Sequence, residues 1–241
     1  MRKQNGFTLI EIAIVLVIIG LLLGGVLKGQ ELITSARVRN LISQQDGIKA
    51  AFFGFQDRFR AYPGDYASAG TTLKCPLAGT GTNTCVNGDG DGVILQAGKG
   101  DAAHEELLAW MHLGAAGFLN GSYALASAAD AAASETNSPK NPYNVFLQLE
   151  YDSNYIDTAA TAPTRHNLKT GAQIPVEIVA EVDRKIDDGN AVRGSFRFST
   201  YGGNAPSPAA SAVGAGGCVV AATGQWLVTE GATNCGGASL F

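Results

Sequence analysis

The sequence predicts an α+β protein in which a long N-terminal helix packs on a C-terminal antiparallel β-sheet head with long, disulfide-closed loops. Three observations carry this expectation. Phe7 to Leu27 is a nearly unbroken apolar run that continues into a helical stripe ending near Phe59. Two later stretches, Val176 to Val182 and Gly194 to Ser199, alternate apolar and polar residues on either side of a strong turn signal. Cys75, Cys85, Cys218 and Cys235 lie in Gly- and Asn-rich surroundings without any CxxC pair. The 241 residues are 46% hydrophobic and 16% charged, which excludes disorder as the whole answer. A net charge of −4 argues against a general nucleic-acid coat, which needs a basic face to neutralise phosphates. The length suits one domain plus a membrane element.

The apolar run comes first. About 21 residues of helix from Phe7 to Leu27 make a rod about 31 Å long, the thickness of a bilayer's hydrocarbon core. Arg2 and Lys3 precede it, so the positive-inside rule holds the N-terminus in the cytoplasm and sends the remainder across the membrane. A cleavable secretory signal would show a small-residue site after the run. Here Leu23-Gly24-Gly25-Val26-Leu27 passes straight into Lys28-Gly29-Gln30-Glu31, so the helix is retained. Glu11 stands inside it, and an acid in a membrane-spanning helix is a functional candidate because inserting it costs a few kcal/mol.

The segment Gly6-Phe7-Thr8-Leu9-Ile10-Glu11, with Arg2 and Lys3 before it and an aliphatic helix after it, resembles the processing site of type IV prepilins and of type II secretion pseudopilins. The resemblance implies cleavage after Gly6 by a prepilin peptidase, N-methylation of Phe7 and an assembly role for Phe7 and Glu11. It divides the chain into a leader (1–6), a transmembrane and filament-core helix (7–27), an amphipathic stem (28–61) and an exported head (62–241). Cleavage exposes an amine close to a carboxylate, and Glu11 of one subunit pairs with the Phe7 amine of a neighbour, which makes burial of both charges tolerable. Many major pilins carry a proline at the position of Lys28. This chain has Gly20, Gly24, Gly25 and Gly29 instead, so the likeness is to the superfamily, and local melting of the helix would centre on Gly24-Gly25.

Beyond Lys28, Leu41, Ile48, Phe52, Phe55 and Phe59 recur at helical spacing and Tyr62-Pro63-Gly64 ends the helix. A second helix is expected over Ala102 to Leu119, capped by Asp101. Val176 to Val182 and Gly194 to Ser199 read as strands of one hairpin, turning at Asp187-Asp188-Gly189-Asn190, with Asp183, Asp187 and Asp188 as turn and hairpin residues. A further strand is expected over Gln225 to Thr229. Ser122 to Pro142 and Tyr201 to Gly217 read as surface loops.

The four cysteines allow three pairings. The simplest is local, Cys75 with Cys85 and Cys218 with Cys235. A late disulfide also resembles the one common in pilin heads. Asn87-Gly88-Asp89-Gly90-Asp91-Gly92 sets hard oxygens at alternate positions, the pattern of a calcium loop, although Gly98 stands where a bidentate acid belongs. Asp101, Glu105 or Glu106 would substitute, giving Asn87, Asp89, Asp91 and Asp101 as candidate ligands. An Asx-rich turn is the competing reading of the same residues.

Enzymatic readings fail on the residues. His104-Glu105 begins an HExxH zinc motif, but Leu108 occupies the place of the second histidine. There is no GxSxG elbow and no P-loop. The expected function is therefore that of a structural subunit of a type IV pilus or pilus-like filament, self-assembling with its peptidase and assembly machinery as partners. It would reside in the inner membrane before assembly and in a periplasmic or extracellular filament afterwards. The alternatives are a minor pseudopilin of a type II secretion system or a filament-tip adhesin.

Overall fold

The computed structural model describes residues 9–75, 84–96, 104–126, 130–157, 162–203, 217–220 and 222–241. Helix α1 spans Leu9–Phe59. Its two halves differ. Aliphatic side chains from Leu9 to Ile33 stand bare, whereas Val38, Leu41, Gln45, Ile48, Ala51, Phe52 and Phe55 are buried, a three-four alternation that keeps one face against the head. The stripe read from the sequence is thus the docking face, with Phe59 at its half-buried end. Arg60 takes a left-handed backbone (φ 56°) and Tyr62-Pro63-Gly64 turns the chain away.

A one-turn helix α2 (Ala69–Thr72) precedes α3 (Glu105–Ala115). Leu107, Leu108, Trp110, Met111 and Leu113 are all buried, so α3 is enclosed on every side, as an all-round apolar helix must be. It is shorter than the 102–119 expected. His104 holds the N-cap position, and Asp101 lies outside the described residues. Phe118 and Leu119 close the C-terminal turn on the Leu113 carbonyl rather than extending the helix.

The sheet comprises β1 (Gln148–Asp152), β2 (Arg165–Lys169), β3 (Phe196–Phe198) and β4 (Gly237–Leu240), antiparallel throughout, in the order β1-β2-β4-β3. β3 falls inside the expected 194–199 stretch, but its partner is β4, with Phe196 opposite Ser239. Val176–Ile186 is a helix, α4, so the expected 176–182 strand and its hairpin do not form. The reason lies at Val179-Ala180, two adjacent buried apolar residues that break period two but complete a helical face with Val176, Val182 and Asp183. Glu181 pairs with Arg184 at 3.5 Å and Lys185 at 3.1 Å on the wet side. The Asp187–Asn190 turn does exist, with Gly189 at φ 75° and the Asn190 N–H donating to Asp188 Oδ1 at 2.8 Å. In place of a strand at 225–229, Gln225 and Trp226 make isolated bridges to Asn190 and Val219, and a 3-10 turn follows at Val228–Glu230.

Two apolar clusters meet α1. One gathers Phe52, Phe55, Trp110, Leu149 and Leu168; the other gathers Val38, Leu41, Val179, Phe196, Phe198 and Trp226. Gln45 lies between these stretches of the helix. β4 begins with glycine because a Cβ on Gly237 would sit 2.3 Å from the Phe196 ring. Cys75–Cys85 and Cys218–Cys235 are the two disulfides, the local pairing.

His166 on β2 is 9% exposed and packs among the rings of Phe52, Tyr62 and Tyr151. Burial lowers its pKa to about 4, so the fold holds it neutral. The unfolded chain binds a proton near pH 6.5 that the folded chain refuses, so this residue's contribution is complete above 6.5 and is lost as pH falls towards 4. The stability difference between His166→Phe and the parent should therefore shift by about 1–3 kcal/mol in favour of the variant between pH 7 and pH 4. Urea unfolding across that range tests it, and a pH-independent difference would refute the assignment.

Candidate functional site

The first candidate is the bare half of α1. It begins at Leu9, and about 25 helical residues reach Ile33, close to 37 Å of rod. Leu9 is 89% exposed and Leu21 75%. A Cβ built on Gly20, Gly24, Gly25 or Gly29 would meet nothing, so no contact inside this chain requires those glycines. The helix is continuous through Gly24-Gly25. Glu11 lies exposed in the first turn. Gly6 and Phe7 lie outside the described residues. By length and composition the helix is apolar enough to cross a membrane. So large an apolar surface on an otherwise closed fold calls for a covering, by lipid or by other helices.

Residues 1–27 match the family described as the prokaryotic N-terminal methylation motif. The chain carries a prepilin-type N-terminus. This is the hallmark segment of type IV pilins and pseudopilins, and it sits on a pilin-like α+β architecture. The matched segment ends within the apolar half of α1, and residues 28–241 lie outside it. No curated protein and no solved structure matches the chain.

The second candidate is acidic and lies in the pilin-like head. The loop from Asn87 holds one long-range contact and two successive Asx turns. Asn87 Oδ1 accepts the Gly70 N–H at 2.7 Å, Asp89 Oδ1 the Asp91 N–H at 2.9 Å, and Asp91 Oδ1 the Val93 N–H at 3.0 Å. Asp101 is outside the described residues. Of the more distant acids, Glu105 is the one that returns to the loop: Oε1 accepts the Asp89 N–H at 3.1 Å and Oε2 the Leu95 N–H at 3.1 Å. Glu106 turns to His104 Nδ1 at 2.9 Å instead. Asp65, absent from the sequence-based set, joins them and accepts the Gly92 N–H at 3.0 Å. A carboxylate oxygen from each of Asp65, Asp89 and Glu105 lies within 4.8 Å of the other two.

The local fold explains the convergence. Gly64 has φ +97°, and a Cβ there would stand 2.4 Å from the Glu105 carbonyl, so only glycine lets the post-helix turn press against the start of α3. His112 locks the contact, accepting the Gly64 N–H on Nδ1 at 3.0 Å while Nε2 bonds the Val86 carbonyl at 2.8 Å. Burial, first among the causes, raises the pKa of Asp65 to about 6 and of Glu105 to about 7, with Asp89 adding repulsion to both. The only sequence signal for Asp65 was its place after Pro63-Gly64.

Asp183, Asp187 and Asp188 also converge. Their oxygens serve the fold: Trp226 Nε1 donates to Asp183 Oδ2 at 2.6 Å, and the Ser195 and Phe196 amides donate to Asp187 Oδ2. Asp187 and Asp188 stand at the turn, whereas Asp183 lies buried within α4 and in no hairpin. His104 stands at the N-cap of α3, and Leu108 and His112 are buried within that helix.

Proposed function

We propose that this protein is a structural, non-enzymatic subunit of a type IV pilus or pilus-like filament. In this reading a prepilin peptidase cuts after Gly6, Phe7 becomes the N-methylated first residue, and subunits leave the inner membrane to pack through the N-terminal half of α1. The division into leader, membrane helix, stem and head follows the same scheme. One observation carries it: α1 is bare through the part that the methylation motif covers and on to Ile33, and docked on the head only from Val38 onward. In the bilayer lipid covers the bare part; in a filament neighbouring helices replace the lipid, and Gly20, Gly24 and Gly25 permit close approach. Glu11 then faces the methylated amine of a neighbour, and each charge makes the other's burial tolerable.

Glu11→Ala should insert into the membrane normally and yield sheared filaments reduced by on the order of tenfold or more, because the partner amine is left buried and unpaired. Quantitative blotting of sheared and membrane fractions reads this. Wild-type filament yield would remove Glu11 from assembly. Mass spectrometry of the native product should find a chain beginning at N-methyl-Phe7, and an intact Met1 would defeat the whole reading.

A further inference from the structure

The head contains a group of carboxylates that its own hydrogen bonding leaves incomplete. Asp65 is 3% exposed, and while Oδ2 accepts the Gly92 amide, Oδ1 is buried with no hydrogen-bond partner among the described residues. A buried carboxylate oxygen without a donor is unfavourable by a few kcal/mol unless a proton or a cation supplies the missing positive charge. None of Asp65, Asp89 and Glu105 forms an ion pair among the described residues. Their carboxylate oxygens nevertheless lie within 4.8 Å of one another. Asp65, Gly90 and Gly92 also line an open pocket of about 510 Å³ shared with Tyr62 and Tyr66, so the group has access from solvent.

We propose that Asp65, Asp89 and Glu105 bind one calcium ion and thereby fasten the Asn87–Gly92 loop to the start of α3 and to the turn that follows α1. The donor set is entirely oxygen, with neither cysteine nor histidine among its members, which selects hard divalent cations. A flexible loop of alternating glycine and Asx residues favours calcium over magnesium, because calcium accepts irregular coordination and longer bonds. Asn87 is not a ligand in this assignment, because its side-chain oxygen is engaged by the Gly70 amide. The second acidic group differs in its surroundings: Asp187 lies near Lys49, which supplies positive charge. The site stands independently of filament assembly.

The test is calorimetric titration of calcium chloride into the full chain, held in detergent micelles and stripped of metal. Binding of one ion per chain is expected, with a dissociation constant in the range of about 10⁻⁵–10⁻³ M, and with a much weaker response to magnesium. Asp65→Asn and Glu105→Gln should each weaken binding about tenfold or more. Asp89→Asn should do the same while keeping the fold, because it is exposed and an amide oxygen still accepts the Asp91 N–H. Circular dichroism without calcium checks that the variants fold, and terbium luminescence sensitised through tyrosine gives an independent reading of occupancy. Asp183→Asn should bind as the parent does. Absence of binding at millimolar calcium, or loss of binding in Asp183→Asn with retention in Asp89→Asn, would overturn the proposal.

Discussion

Lys169→Ala should destabilise the head by about 3–5 kcal/mol, a large share of the 5–15 kcal/mol that holds a typical domain. The side chain is wholly buried, and its ammonium donates to Gln148 Oε1 at 2.9 Å, to Glu150 Oε2 at 2.8 Å and to Asp152 Oδ2, with the Tyr201 ring 5.6 Å away. These partners all come from one face of β1, brought opposite by the pairing of Gln148 with Lys169. Removing the cation strands Glu150, whose pKa is already raised by burial and is held down chiefly by Lys169. The cost arises from the orphaned carboxylate more than from the lost attraction. Lys169→Met combined with Glu150→Gln should therefore be less damaging than the sum of the single changes. Urea unfolding of the parent, Lys169→Ala, Lys169→Met, Glu150→Gln and the double variant decides the matter, and a loss under about 1 kcal/mol for Lys169→Ala would show that the cluster is not a structural unit.

Phe55→Ala should cost a similar amount, about 3–5 kcal/mol, and for a different reason. Phe55 is fully buried where α1 meets the head, with its ring 4.5 Å from Phe59, 6.0 Å from Tyr66, 6.2 Å from Phe118 and stacked at 6.3 Å on His112. Truncation leaves a cavity walled by Phe59, Tyr66, Phe118 and His112, which can collapse only in part. Besides the lower unfolding midpoint, proteolysis should cut α1 earlier near its C-terminal end. Leu22→Ala is the control: Leu22 is 60% exposed, so the midpoint should not move. If both substitutions left it unchanged, the stem would not be docked as described.

The long helix, its stop and its buried stripe were legible in the sequence because a strong 3.6-residue period runs through the phenylalanines and a left-handed residue before Tyr62-Pro63 ends it. The local disulfide pairing was the simplest of three, and it is the one formed. α4 was misread because three residues, Val176-Glu177-Ile178, alternate like a strand before Val179-Ala180 discloses the helix. β1 and β2 went unseen because their polar face is internal. Gln148, Glu150 and Asp152 alternate with Leu149 and Tyr151, yet they point at a buried lysine and not at water. β4 was hidden by Gly237, Ala238 and Ser239, small residues of low strand propensity, the first of which is required by the ring of Phe196. In the acidic group, Asp89 stood out by its repeat, and Glu105 was one of three possible distant acids. Asp65 reaches the site only because Gly64 lets two backbones touch.

β4 is the latest element along the chain, yet it lies inside the sheet, between β2 and β3, just after Cys235. A chain emerging from synthesis in sequence order would display α1 and three strands long before that filler arrives. β1 and β2 can pair as an early hairpin, but β3 has no neighbour until Gly237–Leu240 emerges, so closure is a late, non-local event. Until then the partly emerged head would keep a sticky edge on display.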